Sequence, residues 1–219
     1  MGDRMSELRW GTLLLLLVCA ILLEPLIGTS RIAELASLAL FETSVLGAIF
    51  MSAETRRVQQ VGFVLAVTWF AASVIAVLEY EVGRLVAWLS VILVFGALTL
   101  TFRNMMRRGQ SDMDTLLGAI FGYLLLAMAW AMLYVQIERW WPGSFSVPEQ
   151  SDIWASMLYY SLVTLTTLGY GDVLPVSDIA RMAAGFEAVV GVLYIAVMVG
   201  SIVSGLHDRR TEEHPDPPA

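Results

Sequence analysis

Six stretches of this chain are apolar for long enough to cross a lipid bilayer, and that limits everything else it can fold into. A helix needs roughly 20 apolar residues to span about 30 Å of hydrocarbon. Trp10–Ile27, Ile32–Met51, Val58–Leu78, Leu85–Phe102, Leu116–Ile137 and Met182–Leu206 meet that requirement. In hydrocarbon each helix must satisfy its own backbone N–H and C=O groups, so the expected fold is an all-α membrane bundle. Composition agrees: 58% of residues are hydrophobic and 15% charged, where soluble domains carry about a quarter charged. The net charge of −7 comes from acids in loops and tails and says nothing about nucleic acid. All thirteen basic residues are Arg, for which we have no functional account. Cys19 is the one cysteine, so no intrachain disulfide forms; within its apolar run it reads as a small buried hydrophobe.

The arginines orient the bundle. With the N-terminus inside, the cytoplasmic side receives Arg4, Arg9, Arg56, Arg57, Arg103, Arg107, Arg108, Arg209 and Arg210. The outer side receives Arg31, Arg84, Arg139 and Arg181. That excess of inside arginine obeys the positive-inside rule and puts both termini in the cytoplasm of a multi-pass cell-membrane protein. Arg4 and Arg9 before an apolar run also fit a signal peptide, with small residues near Gly28. A retained helix is the favoured reading, because the apolar run continues to Ile27 and the next follows with almost no spacer.

Between the fifth and sixth runs, Glu138–Arg181 is too broken by Pro, Gly and acids to span. Within it, Ile153–Leu165 has the length of a short helix, with Asp152 or Ser151 as N-cap. Pro175 should end regular structure beyond it. The helix leads straight into Thr167-Leu168-Gly169-Tyr170-Gly171-Asp172. Its two glycines permit φ > 0, where a side chain is penalised, so successive carbonyls can point the same way.

This hexapeptide and the segment Tyr159–Thr167 before it resemble the pore module of tetrameric potassium channels, bacterial members above all. The resemblance covers Leu116–Leu206 and implies an outer helix, a pore helix, a filter loop and an inner helix. It implies that carbonyls of Thr167, Leu168, Gly169 and Tyr170 hold K⁺, with the Thr167 hydroxyl adding the innermost site and Gly171 completing the filter. Rings of such carbonyls replace the ion's hydration shell, and closing the ring takes four loops, hence a homotetramer. Leu168 stands where valine is commoner, a mild change because the carbonyl carries the chemistry. Asp172 is implied to be hydrogen-bonded behind the filter. Many relatives use a pore-helix tryptophan for that; the matching residue here is Tyr159, whose phenol can also donate. Interfacial aromatic packing is the competing reading of Tyr159 and Tyr160. Where some relatives place a pore-helix glutamate, this chain has Val163.

On the inner helix, Gly191 matches the family's hinge glycine, with close helix packing as the alternative. Ile195, Val199 and Val203 share one face, which the resemblance assigns to the lower pore; a lipid-facing stripe is the rival. Glu187, one turn before Gly191, is costly inside a membrane segment and needs a polar partner; Thr166 or Ser161 is expected. Five acids (Glu138, Glu149, Asp152, Asp172 and Asp178) outnumber Arg139 and Arg181 at the outer mouth and would concentrate cations, although Glu138 and Glu149 read equally well as solvated loop charge.

Residues 1–110 form a four-helix module that resembles nothing nameable. Leu85–Phe102 carries no charge, and voltage contributes about 2.3 kcal/mol per charge per 100 mV, so no conventional voltage sensor is expected. Glu42 is the odd residue there, read as a carboxylate satisfied at a helix interface. Glu24 and Pro25 should mark the outer end of the first helix, and Gly118-x-x-x-Gly122 suits close contact in the fifth. Residues 111–206 are the expected pore domain and 207–219 a disordered tail, too short for a nucleotide- or Ca²⁺-binding domain; His207 near the inner gate reads as an exposed tail residue or a pH sensor. The expectation is a passive K⁺-selective channel rather than an enzyme. No cofactor other than the permeant K⁺, no small-molecule substrate and no nucleic acid is implied; the partners are lipid and three further copies. A weakly selective cation channel and a subunit of a K⁺ uptake system are the alternatives.

Overall fold

The computed structural model describes residues 9–27, 31–52, 55–78, 83–108, 113–148 and 151–213. It is an all-helical protein: α1 Arg9–Ile27, α2 Arg31–Ser52, α3 Arg56–Leu78, α4 Gly83–Arg108, α5 Met113–Trp140, α6 Ile153–Leu165 and α7 Asp178–Glu213. Two short strands, β1 Phe145–Ser146 and β2 Leu174–Pro175, pair antiparallel. Among the described residues, three helices are long and apolar enough to cross a membrane: Leu35–Ser52, Asp114–Trp140 and Asp178–Met198. Shorter apolar helical stretches occupy Trp10–Leu23, Ser90–Arg103 and Ile153–Leu165. These apolar helices make the chain a membrane protein.

Helix ends outrun the apolar windows because a helical backbone satisfies itself whatever side chains it carries. α1 passes through Glu24 and Pro25 to Ile27, and α4 continues through the polar stretch to Arg108. α7 was expected to stop at Leu206 before a disordered tail; its helical backbone instead continues to Glu213. Charge placement supports the ends: Asp114 opens α5 and Arg139 closes it, each complementing the helix dipole.

α5 is the shared element. α1, α4, α6 and α7 all pack against it. Trp10 of α1 lies 5.6 Å from the Phe121 ring and covers Gly118, where a Cβ would come within 3.2 Å of the indole. One turn on, a Cβ at Gly122 would meet the Tyr194 hydroxyl at 2.6 Å. The Gly118/Gly122 pair therefore admits two bulky aromatics, from α1 and α7, rather than one helix backbone. Buried Leu17, Val45, Trp69, Val94, Leu125 and Met157 belong to one continuous core through both halves. Cys19 departs from expectation: it is exposed, on the face of α1 away from buried Leu13, Leu17 and Ala20.

Candidate functional site

The site is built on α6. Asp152 is its N-cap, with extended backbone (φ −65°, ψ 132°) and a carboxylate accepting the Ala155 N–H at 2.7 Å. This decides between Asp152 and Ser151. At the other end Thr166 caps α6, its N–H bonded to the Leu162 carbonyl at 3.1 Å. The chain then folds back on the helix end. The N–H of Thr167 bonds to the Thr164 carbonyl at 3.0 Å, and those of Leu168 and Gly169 both reach the Val163 carbonyl, at 3.0 and 3.3 Å.

That folding back fixes which way the loop's polar groups face. Its amides at 167–169 are spent on α6, so they do not compete for the opposite side. Positive φ recurs at every second residue: Thr167 (58°), Gly169 (57°) and Gly171 (78°), with Leu168 and Tyr170 between them outside that region. Alternating the hand of the backbone turns successive peptide planes so that neighbouring carbonyls share a direction. Thr167 does so without being glycine, a conformation that costs a β-branched residue about 1–3 kcal/mol. No Cβ placed at Gly169 or Gly171 would meet an atom within 4 Å; backbone conformation alone demands glycine there.

Behind the loop, the Tyr159 hydroxyl donates to Asp172 Oδ2 at 2.7 Å. This bond holds the Tyr159 phenol up to about 12. The free phenol titrates near 10, so this contribution is whole below about 10 and is lost as pH rises through about 12. Tyr160 points the other way and is buried edge-on against Tyr134 and Phe145, with centroids 5.2 and 5.4 Å apart. A cavity of about 300 Å³ opens beside the loop, lined by Tyr159, Thr164, Thr167, Asp172 and Ala188 among others.

Glu187 is fully buried and hydrogen-bonded to Ser161 of α6 and Tyr134 of α5. Ser161 was one of the two expected partners; Thr166 instead donates to the Leu162 carbonyl. Tyr134 lies 53 residues away in sequence, and no local pattern points to it. Gly191 packs on the end of α6: a Cβ there would sit 2.7 Å from the Leu165 carbonyl oxygen and 3.1 Å from its Cα. That contact gives the close-packing reading a physical cause. The same carbonyl, orphaned at a helix end, accepts the Tyr123 hydroxyl at 2.8 Å. Ile195 is exposed on the single chain. Val199 and Val203 lie on the helical backbone of α7, and their side chains fall outside the described residues, as does His207's.

Sequence reasoning missed the loop before α6. Glu138 clamps it, accepting the Gly143 N–H at 2.7 Å and the Phe145 N–H at 2.9 Å, so this acid is a structural clamp rather than solvated loop charge. Pro175 does not end regular structure but sits in β2 opposite Phe145, and the next amide, Val176, donates to the Ser144 carbonyl at 2.7 Å. Proline lacks that N–H, which suits a sheet edge. Glu149 lies outside the described residues.

Fold and site define a class: a membrane protein with a short helix and a carbonyl-presenting loop set between two long apolar helices. Residues 118–207 match the family model described as "Ion channel". The voltage-gated potassium channel Kch of Escherichia coli is 29% identical over 124 residues, 54% of this chain and 28% of that protein. Human potassium voltage-gated channel subfamily KQT member 3 is 30% identical over 97 residues, 42% of this chain and 11% of that protein. A Rhodopseudomonas palustris protein that carries the name potassium channel protein is 34% identical over 61 residues, 28% of this chain and 15% of that protein. By these matches residues 118–207 are similar to the ion-channel region of potassium channels. It spans between about a tenth and somewhat over a quarter of the length of these relatives. No solved structure is a significant match.

Proposed function

We propose that four copies of this chain form a K⁺-selective channel that conducts passively through one fourfold pore. Each copy crosses the membrane six times with both termini cytoplasmic, and the loop 167–172 enters from outside. Carbonyls of Thr167, Leu168, Gly169 and Tyr170 take the place of the ion's water, and Asp172 with Tyr159 braces the loop. The observation that carries this reading is the alternation of positive φ at 167, 169 and 171 with the loop amides turned back onto α6. Four carbonyl ladders of that form around an axis give the oxygen cage that dehydrated K⁺ requires. The α6 dipole, negative at its C-terminus, favours a cation below the loop. Leu168 and Tyr170 are 54% and 67% exposed on the single chain, and α7 presents Phe186, Val189 and Leu193 outward; neighbouring copies would cover these surfaces. Ile195, Val199 and Val203 line the inner pore in this reading. α4 is uncharged between Leu85 and Phe102, so opening is not conventionally voltage-driven.

Reconstitution in a planar bilayer with K⁺ on one side and Na⁺ on the other tests this. A reversal potential near the K⁺ equilibrium limit is expected. Current that reverses near zero would make the protein a weakly selective cation pore. Proteoliposomes that take up K⁺ only when another gradient drives it would make the chain part of an uptake system.

A further inference from the structure

The carboxyl group of Glu187 has its two oxygens committed to two different helices. Tyr134 of α5 donates to Oε2, and Ser161 of α6 is in hydrogen-bond contact with Oε1. Ser161 Oγ also lies 2.9 Å from the Ala127 carbonyl of α5, in geometry that fits donation. A serine hydroxyl has one proton, so it cannot serve both acceptors. The titratable groups facing Glu187 are phenols: Tyr134 and Tyr123 from α5 and Tyr160 from α6. None of them offers a positive charge. An ionised carboxylate would stand inside a membrane helix with neutral donors alone, whereas a carboxylic acid avoids that cost and supplies the missing proton.

We infer that Glu187 is held as a neutral carboxylic acid whose proton goes to Ser161. The hydrogen bonds then run in one direction: Tyr134 O–H to the Glu187 C=O, Glu187 O–H to Ser161 Oγ, and Ser161 O–H to the Ala127 carbonyl. Every donor has one acceptor, and α5, α6 and α7 are tied at one point. Glu187 touches no ion. It is a positioning residue, fixing the height of α6 and so of the loop that leaves its C-terminus. Its effect on conduction rests on the channel reading above; its protonation does not.

Infrared difference spectra of the purified full chain at neutral pH, wild type against E187Q, test the protonation. A protonated-carboxyl C=O band present in the wild type and absent from E187Q is expected, moving to higher frequency in S161A as its acceptor is lost. Glu42, the other buried acid among the described residues, is common to both samples and cancels. A difference spectrum showing only ionised carboxylate overturns the inference. Glutamine can donate to Ser161 and accept from Tyr134, so E187Q should melt like the wild type and E187L well below it. An E187Q that melts as low as E187L would overturn the directed chain. In bilayers, the K⁺/Na⁺ permeability ratio should fall several-fold in E187L and be restored in E187Q; an unchanged ratio in E187L would remove the positioning role. If no variant conducts, the channel reading fails by itself, while band and melting still decide the tie.

Discussion

Two buried glutamates separate the halves of this molecule. Glu187, behind the loop, has a hydrogen-bond partner for each oxygen. Glu42, in the middle of α2 and only 5% exposed, has no hydrogen-bond partner on either oxygen among the described residues. The helix-interface partner expected for it is not found among the described residues. Among the described residues the Ser52, Ser73 and Thr101 hydroxyls of the N-terminal helices lack a partner, as do Trp130 Nε1 and Gln136 Oε1 of α5, whereas Ser144, Ser156 and Ser161 nearer the loop are bonded. Fully satisfied polar networks define one geometry, and unsatisfied ones leave it open. One apolar core runs through both halves, and next to the loop the polar bonds of Glu187 and Asp172 add to it.

Glycine substitutions should break this contrast open most strongly. Gly169→Ala forces an alanine to φ 57°, at about 1–2 kcal/mol, and is expected to abolish selective K⁺ current in bilayer recordings. Gly96→Ala in α4 meets nothing within 4 Å on a helix and should be neutral or raise the melting temperature, since alanine is favoured over glycine by about 1 kcal/mol. Next comes Gly191→Ala, whose methyl collides with the Leu165 carbonyl; about 1–3 kcal/mol of overpacking is expected. Gly185→Ala, with open space around it, is the control in the same thermal melt. If both behave alike, Gly191 acts as a bend rather than a packing site.

The glutamates themselves sharpen the comparison. Glu187→Leu strands the Tyr134 hydroxyl and should cost about 1–3 kcal/mol. Glu42→Leu removes an unpartnered polar group and should leave stability unchanged or improved. A melting temperature that falls as far for Glu42→Leu would mean that the N-terminal half has a use for its acid. The smallest effect is expected from Tyr159→Phe, which leaves the fold intact and lets Asp172 lose one exposed bond. Sustained currents should decay faster, with Tyr159→Trp restoring them.

What the sequence made legible follows from range. Helices, N-cap and glycine loop are local patterns, and α6 falls on Ile153–Leu165 as its apolar run and Asp152 indicate. The Tyr159–Asp172 bond joins residues 13 apart and was readable through resemblance. Tyr134 with Glu187, Tyr123 with the Leu165 carbonyl and the β1–β2 pairing join residues far apart, where many hydroxyls and carbonyls compete as partners. The two amide bonds of Glu138 were hidden for another reason: a carboxylate bonding its own downstream turn looks in sequence like any loop acid.

The Val163 carbonyl receives the amides of both Leu168 and Gly169. Because this acceptor is main chain, every amino acid genetics can place at 163 supplies it equally. The side chain at 163 itself is therefore free to vary without removing either bond. The joint is invisible to a mutational scan. Only chemistry that rewrites the backbone reaches it: exchanging the Thr164 residue for its hydroxy-acid counterpart makes the 163 carbonyl an ester, a weaker acceptor, and would loosen both bonds at once.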